Sequence, residues 1–479
     1  MVSSTSNYIP TTSPYLHSTY LQDIYPTLSS AMKYSFTTVA LTAAIMADSA
    51  LSAPATLSPR TLNRDYKVSL DPRPFYLVNN MTDSHLKSAL NRCQNGPFSI
   101  TDFSIGHRGG ATLQIPEETV ENTIAGARMG AGVLECDVAF TKDRELVCRH
   151  SQCDLHTTTD ILLRPELAKK CTVPFKPASG GSSATALCCT SDITLEEYMS
   201  LCSKMDASNS KATTPLEYQG SPPTWRTQLY ETCGKVMSLE SYIDLVDSIP
   251  GNRKFTPELK TPPSQVPMPF QTTKGPYTQE QYARDMIETF IKKGIDPSRV
   301  WPQSFLPADV YQWIKEYPTT FGQQAVFLDE SGDPPSNPTA AAAQLSAIRK
   351  KGVNVLSPPL NYLLTIDPKT QKVVPSEYSK VAKKEGFVII PWTFERSGPL
   401  GTVKARGEYY YGSIADVMKT DGQMYEVLDV LVKKIKIAGI FSDWSSTITY
   451  YANCFKLPGP KILKQKKWGK GGKREGEEN

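Results

Sequence analysis

The sequence predicts an α/β fold, a closed (β/α)8 TIM barrel with a long cysteine-rich insertion after its second strand. Eight short apolar segments have the composition of buried strands, and helical segments separate several of them. One interval of about a hundred residues is too long for a simple connection. Alternating strands and helices imply parallel strands joined by crossover helices, and eight such units suffice to close a barrel.

The predicted strands are runs of apolar, mostly β-branched or aromatic residues, as in the buried strands of parallel sheets. They span residues 103–107, 133–140, 254–260, 299–305, 324–329, 353–357, 386–394 and 438–443. Helical patterns at 279–293 and 340–351 lie between them. Barrel enzymes carry their chemistry at the C-terminal ends of the strands, so polar residues there are the candidates for function.

The interval 151–252 contains six of the ten cysteines, together with helical patterns at 195–204 and 239–247. We interpret it as a disulfide-stapled insertion over the barrel mouth, and either a passive cap or a gate for substrate is compatible with the pattern. The cysteines could instead bind a metal, but the Cys-x-x-Cys pairs of a zinc ribbon are absent, which favours disulfides. Cys136 and Cys148 are expected to remain free, because strand positions behind the site leave little room for disulfide geometry.

The N-terminal region carries the pattern of a secretory signal. An uncharged apolar run at 36–47 follows Lys33 and precedes Ala-Pro-Ala at 53–55, and it is too short to span a bilayer comfortably. We therefore predict a signal peptide at 32–55 and a secreted protein, extracellular or associated with the cell wall, that begins near residues 54–56. Residues 1–31 would then come from a start assigned too early in the gene. If they are genuine, the apolar run at 36–47 would act as a membrane anchor instead.

Composition excludes several functional classes. Hydrophobic residues at 39% and charged residues at 21% exclude a disordered polyampholyte and a multi-span membrane protein. The net charge of +4 comes from a basic tail at 456–479, which we expect to be disordered, and the chain without it has 44 basic and 45 acidic residues. This near-neutral body, the barrel at 56–455, gives no basis for nucleic acid binding. The tail leaves contact with an anionic membrane surface open.

Two of the five histidines follow predicted strands at one barrel mouth. His107 ends the first strand, and His150 ends a short strand at 146–150 that is expected to pair with the second. Because histidine titrates near neutral pH, this pair provides candidates for a general acid and a general base. A buried, hydrogen-bonded structural histidine is the alternative for either residue.

Carboxylates mark the ends of the second and third strands. Glu135 and Asp137 are two residues apart and share a strand face, and Glu258 and Lys260 repeat the spacing. Three close carboxylates repel one another unless a cation or proton lies between them, and oxygen ligands suit Mg²⁺ or Ca²⁺. We therefore predict a divalent cation at these three, with Arg108 gripping a phosphate through its planar fork. An internal salt-bridge network is the alternative.

The motifs, taken together, resemble the glycerophosphodiester phosphodiesterase family, and the long insertion resembles that of its secreted fungal branch. The resemblance covers residues 103 to 443. It rests on HRGG at 107–110, PEETVENT at 116–123, ECDVxxTKD at 135–143, LVxxH at 146–150, PELK at 257–260, QSF at 303–305 and WT at 392–393. The family often has Thr-Asp-x-Pro near the end, whereas residues 442–445 here lack the proline, which leaves the shape of the last loop open.

The resemblance implies a TIM barrel that hydrolyses glycerophosphodiesters to glycerol 3-phosphate and an alcohol with a divalent cation. By this resemblance, His107 and His150 would be the acid/base pair, and Glu135, Asp137 and Glu258 would bind the metal. Arg108 and Lys260 would bind phosphate, and Trp392 would line the substrate pocket. Glu121 and Asn122 are expected to be structural, with Asn122 as the N-cap of a helix that starts at Thr123.

Several alternatives stay open. A phospholipase D-like relative of the same fold would act on lyso- or intact phospholipids at a membrane. A barrel that binds phosphate esters without turnover is disfavoured, because every histidine and carboxylate that the chemistry needs is present. The attacking group is either water or the 2-hydroxyl of the glycerol, and the latter would give a cyclic phosphate first.

Overall fold

Eight parallel strands build the barrel, and we name them β1 to β8 in chain order. They are β1 Thr101–Gly106, β2 Ala131–Phe140, β3 Lys254–Leu259, β4 Gln303–Ser304, β5 Val326–Leu328, β6 Val355–Ser357, β7 Val388–Ile389 and β8 Ile440–Ser442. The structure, a computed structural model, describes residues 67–228, 233–334 and 336–461. The predicted extension, the signal peptide and the tail beyond residue 461 lie outside these ranges.

The sheet follows chain order from β1 to β7, with β8 hydrogen-bonded to β1 on its other side. Beyond β7 the chain stays extended, and a parallel bridge joins Phe394 to Ser442 of β8. The Phe441 amide also donates to the Pro391 carbonyl at 3.1 Å. These bonds close the barrel, so the predicted fold class is confirmed.

The eight strands occur where the sequence predicts them, but two are much shorter. The predicted strand at 299–305 reduces to Gln303–Ser304, and that at 386–394 reduces to Val388–Ile389. Proline has no amide hydrogen to donate to a ladder, and Pro302 and Pro391 interrupt these two segments. The flanking residues remain extended, since the Trp301 amide still donates to the Phe255 carbonyl at 2.8 Å.

The barrel interior is a packed plug of apolar side chains. Seven of the eight strand segments contribute one buried residue each: Ile105, Val133, Trp301, Val326, Val355, Ile390 and Phe441. Bulky side chains in such layers fill a barrel rather than leave a pore. The apolar layer therefore gives the polar residues at the strand ends a packed support.

Helices surround the barrel, and most begin at an identifiable cap. The longer ones are Arg73–Asn79, His85–Arg92, Val120–Arg128, Leu239–Ser248, Gln279–Lys292, Pro307–Glu316, Pro338–Lys350, Glu377–Lys384, Gln423–Val430 and Ser445–Cys454. Side chains of Ser84, Thr119, Ser238, Thr278, Asn337 and Ser376 accept from the amide three residues on. Among the described helices, none has both the length and the apolar character of a membrane span.

One predicted cap is wrong. The helix after β1 starts at Val120, and Thr119 is its N-cap, accepting from the Asn122 amide at 3.2 Å. The Asn122 side chain instead accepts from the Ala111 amide and donates to the Ile115 carbonyl, each at 2.9 Å. Thr and Asn are both good caps, and here the Asn122 side chain is already engaged by the loop at Ala111 and Ile115.

The insertion is a small layer of short elements with its own apolar cluster, including Leu155, Ile161, Ile193 and Tyr198. Its elements are the helices Leu155–Thr158, Pro165–Ala168, Leu195–Met199 and Pro215–Tyr218, the turns Ile161–Leu163 and Thr190–Asp192, and the strand pairs Val173–Lys176 with Thr185–Leu187 and Cys202–Ser203 with Gly234–Lys235. The helix predicted at 195–204 stops at Met199, because Cys202 pairs with Lys235 as a strand residue.

The predicted insertion helix at 239–247 belongs to the barrel layer. It spans Leu239–Ser248, and the Tyr242 hydroxyl donates to the Leu134 carbonyl of β2 at 2.7 Å. The Tyr242 ring also packs edge-on against Phe255 of β3, with centroids 6.0 Å apart. This helix therefore acts as the crossover between β2 and β3, and the extra layer ends before it.

All ten cysteines form disulfides: Cys93–Cys454, Cys136–Cys148, Cys153–Cys189, Cys171–Cys188 and Cys202–Cys233. The expectation that Cys136 and Cys148 stay free is wrong. The short strand Leu146–Cys148 runs antiparallel to β2 and pairs Cys148 with Val138. Cys136 lies two residues before Val138 on the same face, and its Cα is 5.3 Å from that of Cys148, within disulfide reach.

The remaining small elements are loops and turns at the barrel ends. They comprise the hairpins Phe270–Thr272 with Gly275–Tyr277 and Leu364–Ile366 with Val373–Pro375, the short helices Leu360–Leu363 and Val403–Arg406, the 3-10 turns His107–Gly109, Pro297–Arg299, Phe321–Gln323, Leu400–Thr402 and Ala415–Val417, and the π turn Leu431–Ile435. The turn His107–Gly109 directly follows β1 and shapes the site.

Candidate active site

One cavity at the C-terminal ends of the strands gathers seven of the eight residues predicted for the site. Its lining includes His107, Arg108, Glu135, His150, Glu258, Lys260 and Trp392, with Phe305, Leu328, Tyr410 and Phe441. The eighth, Asp137, lies just behind it, with Oδ1 3.9 Å from the Lys260 ammonium. The cavity has a volume of about 70 Å³, which is below the usual range for ligand sites.

A sharp turn after β1 orients the first two of these residues. Arg108 has a left-handed backbone with φ of 50°, and Gly109 and Gly110 follow with φ of 104° and 95°. A Cβ on Gly126 would lie 2.0 Å from the Gly109 carbonyl oxygen, so only glycine allows this close approach. The turn points the Arg108 amide at Oε2 of Glu135, at 2.7 Å.

Three carboxylates from two adjacent strands converge at the cavity. Oxygens of Glu135, Asp137 and Glu258 all lie within 4.8 Å of one another. Glu135 accepts from the Arg108 amide and from the Gln303 side chain at 2.7 Å, and Glu258 is paired with Lys260. Neither buried oxygen of Asp137 accepts a hydrogen bond within the described residues.

Burial and mutual repulsion perturb these carboxyls. Burial, with the neighbouring Asp137 and Glu258, raises the pKa of Glu135 well above its ordinary value. Burial also raises the pKa of Glu258 to about 8, although Lys260 opposes it. For Asp137 the attraction of Lys260 and Arg108 outweighs burial and lowers the pKa. The group is therefore short of positive charge, and its all-oxygen ligand set fits a hard divalent cation.

The wider cluster has the same deficit. Seven carboxylates and five basic side chains lie around the cavity: Glu117, Glu118, Glu135, Asp137, Asp154, Glu258 and Asp443 against Arg108, Arg149, Arg226, Lys260 and Arg396. Two carboxylates thus have no basic counterpart in this set. One divalent cation would balance them, because buried charges require compensation.

His107 is held by the carboxylate of the residue that follows β8. Its Nδ1 donates to Oδ1 of Asp443 at 2.5 Å, and Arg396 Nη1 donates to the other oxygen at 3.0 Å. Burial favours the neutral form of Asp443, but Arg396 and His107 overcome it and hold the pKa of this carboxyl far below its ordinary value. Since Nδ1 is engaged, Nε2 is the free nitrogen, and it lies 3.9 Å from Glu135.

His150 has a different environment. Its ring makes no hydrogen bond with another described residue, and Glu117 and Asp154 offer oxygens within 4.8 Å of it. Burial, then the cations Arg108, Lys260 and Arg396, lower its pKa well below the ordinary value. The backbone around it is fixed, because the Arg149 amide donates to the Asp137 carbonyl at 2.6 Å and Cys148 is bonded to Cys136.

A family model described as the glycerophosphoryl diester phosphodiesterase family matches residues 107–444, which spans the whole site. The chain belongs to this family. It is accordingly an enzyme, a phosphoric diester hydrolase of the glycerophosphodiester phosphodiesterase class.

Similar proteins come from fungi and bacteria. A protein from Arthroderma benhamiae named "Extracellular protein" is 44% identical over 254 residues, which are 53% of this chain and 100% of that one. A putative glycerophosphoryl diester phosphodiesterase from Silicibacter pomeroyi is 16% identical, with a TM-score of 0.44, covering 78% of this chain and 98% of that one. A phosphodiesterase from Oleispira antarctica, in complex with the product sn-glycerol-3-phosphate, is 15% identical, with a TM-score of 0.40, covering 72% and 94%.

The site of this glycerophosphodiester phosphodiesterase includes residues that sequence reasoning passed over. Glu117 binds the Arg108 guanidinium with both oxygens at 2.8 and 3.0 Å, and Gln303 fixes Glu135. Glu117 and Gln303 both lie in motifs on which the family resemblance rests, so those motifs were the signal for them. Asp443 follows the last strand, where barrel chemistry is expected. No motif or periodicity in the sequence indicates that Arg396 belongs to the site.

Glu121 lies outside the cavity, where its carboxylate accepts from the Lys235 amide at 2.9 Å. It joins the helix after β1 to a strand of the insertion. This contact agrees with the structural role expected for Glu121.

Proposed function

We propose that this phosphodiesterase hydrolyses small glycerophosphodiesters to glycerol 3-phosphate and the free alcohol, with a divalent cation and with His107 and His150 as the acid/base pair. The observation that carries the proposal is the convergence of three carboxylates, two histidines and two basic side chains on one small cavity. Diester hydrolysis needs a cluster of this kind, because it must stabilise negative charge and transfer two protons.

Glu135, Asp137 and Glu258 would hold the cation, which could be Mg²⁺ or Ca²⁺. When bound, the cation supplies Lewis-acid stabilisation of the charge on the phosphoryl oxygens. The two oxygens of Asp137 accept no hydrogen bond within the described residues, and this supports the assignment, since buried carboxylate oxygens are costly to leave without one.

Arg108 and Lys260 would bind the non-bridging phosphate oxygens. Arg108 uses one terminal nitrogen on Glu117, while its buried Nε has no hydrogen-bond acceptor in the described chain. Lys260 faces the same cavity from the end of β3. The guanidinium is held rigidly by Glu117, so it would not need to reorganise when phosphate arrives.

His107 would act as the general base. Asp443 holds its Nδ1–H, which leaves Nε2 free to take a proton and stabilises the imidazolium that forms. The proton comes from water or from the glycerol 2-hydroxyl, and the latter route passes through a cyclic phosphate that a second step opens.

His150 would act as the general acid toward the leaving alcohol. Burial and the positive charges of Arg108, Lys260 and Arg396 lower its pKa, so the neutral ring would have to gain a proton before it could donate one to the leaving alcohol. Trp392 would line the pocket for the substrate, since its ring borders the same cavity.

We also propose that the protein is secreted. The five disulfides are typical of an oxidising compartment, and the fungal relative carries the name "Extracellular protein". The apolar run at 36–47 would be the signal. N-terminal sequencing of protein from culture medium should give a start near residues 54–56, and an intact Met1 would contradict cleavage.

The function is tested by product analysis with glycerophosphocholine and lysophosphatidylcholine side by side, each with and without chelator. We expect chelator-sensitive release of glycerol 3-phosphate and choline from glycerophosphocholine. Preferential turnover of lysophosphatidylcholine would identify a phospholipase D-like enzyme instead. No turnover of either substrate would refute the proposal.

A further inference from the structure

A row of aromatic rings forms one wall of the cavity and begins beside the proposed phosphate site. The Lys260 ammonium lies 5.8 Å from the centroid of the Phe305 ring. Phe305 meets Trp392 edge-on at 5.5 Å, and Trp392 stacks on Tyr409 at 6.1 Å. Tyr410 packs edge-on against Trp392 at 5.7 Å and against Tyr409 at 5.2 Å. The four rings thus form a continuous series of contacts that begins beside the phosphate-binding Lys260, and Phe305, Trp392 and Tyr410 line the cavity.

The row ends at carboxylates on the loop that follows β5. The Tyr409 hydroxyl donates to Oδ1 of Asp333 at 2.8 Å, and the Tyr362 hydroxyl donates to the same oxygen at 2.8 Å. Glu330 lies on the same loop, where partial burial and the charge of Asp333 raise its pKa against the attraction of Lys260. In the described part of the chain, no basic side chain forms an ion pair with Asp333 or Glu330.

The four rings are half-buried, so each keeps part of its surface accessible. Trp392 is also anchored, since its indole N–H donates to the Ser357 carbonyl at 2.9 Å. A fixed wall of electron-rich ring faces, beside two carboxylates that form no ion pair within the described residues, attracts positive charge. The ring faces themselves offer no hydrogen-bond acceptor, so they suit a cation that carries no N–H donors.

We propose that this wall is the subsite for the alcohol half of the substrate and that it selects a quaternary ammonium headgroup such as that of choline. In a choline ester, one ester oxygen and two methylene groups separate the nitrogen from the phosphorus. The row starts at Phe305 next to the phosphate-binding lysine, so such a nitrogen falls beside the rings. This inference rests on the proposed hydrolysis of glycerophosphodiesters.

The test compares glycerophosphocholine with its 3,3-dimethylbutyl analogue, in which a carbon replaces the charged nitrogen and the shape is kept. With wild-type enzyme we expect kcat/KM to be about five- to thirtyfold higher for the choline ester, the range for a cation over aromatic faces. In Tyr409→Leu and Asp333→Asn this ratio should fall to within about threefold of unity. The matched control is Tyr76→Leu, which removes a tyrosine–aspartate hydrogen bond outside the cavity and should keep the ratio.

The wild-type comparison needs no variant, so misfolding of a variant cannot obscure the result. Equal kcat/KM for the two esters overturns the subsite and leaves the hydrolytic function standing. A ratio that survives both Tyr409→Leu and Asp333→Asn overturns the assignment of these residues. Absence of turnover of both esters overturns the proposed function itself, and the subsite with it.

Discussion

Replacing Asp443 with asparagine removes the group that we propose fixes the tautomer of His107. The carboxylate accepts from His107 at 2.5 Å and from Arg396 at 3.0 Å, so both partners are donors. An amide has only one acceptor atom. Arginine is always a donor, so the amide oxygen should turn to Arg396 and the NH₂ group should face Nδ1 of His107. Nδ1 must then accept, and the ring proton moves to Nε2.

A proton on Nε2 blocks the base, because that nitrogen must take a proton from the attacking hydroxyl. Losing a general base costs roughly a hundred- to ten-thousandfold in rate, which corresponds to about 3–5 kcal/mol of barrier. The corresponding asparagine substitution in a serine-protease triad lies at about the upper end of that range. We therefore expect Asp443→Asn to lower kcat about a thousandfold or more, with little change in KM.

The assay is steady-state hydrolysis of glycerophosphocholine by wild type, Asp443→Asn, His107→Ala and the double variant. The double variant should be no slower than His107→Ala, because the two residues act as one unit. A nitrophenyl leaving group needs little protonation, so it should rescue His150→Ala and not Asp443→Asn. Asp429→Asn, which alters a helix carboxylate that binds the Tyr451 hydroxyl, is the matched control. Retention of a tenth of wild-type activity by Asp443→Asn, or its rescue by the nitrophenyl ester, would refute this account of the base.

Three further predictions concern the cation, the cysteines and the turn after β1. Exhaustive chelation and buffer exchange should lower turnover at least tenfold, with recovery on adding Mg²⁺ or Ca²⁺, and full activity of the chelated protein would exclude the metal role. Thiol titration of denatured, unreduced protein should find fewer than one thiol per chain, whereas ten thiols would contradict the disulfides. Gly126→Ala places a Cβ 2.0 Å from the Gly109 carbonyl, so the melting temperature and kcat/KM should both fall, and unchanged values would show that the turn can yield.

The local parts of the site could be predicted from the sequence. Alternation along a strand places Glu135 and Asp137 on one face, and the same spacing applies to Glu258 and Lys260. Parallel strands bring their C-terminal ends to one mouth, which gathers His107 with these residues. Such inferences need only the period of a strand and the topology of a barrel.

The remaining features depend on contacts between distant parts of the chain. His107 and Asp443 are 336 residues apart, and Cys93 and Cys454 are 361 apart, so only closure of the barrel brings each pair together. The Cys136–Cys148 bond required the register of an antiparallel strand of three residues, which apolar patterning does not specify. Arg396 joins the site from a loop whose path no local pattern predicts.

The most direct test of the central claim is a ³¹P NMR time course of purified enzyme with glycerophosphocholine and a divalent cation. We predict glycerol 3-phosphate as the phosphorus-containing end product, with one equivalent of free choline, and loss of both when chelator is added first. A cyclic phosphate that appears transiently would identify the 2-hydroxyl as the attacking group. Phosphocholine as the product, or an unchanged substrate signal with folded and cation-loaded enzyme, would contradict the account.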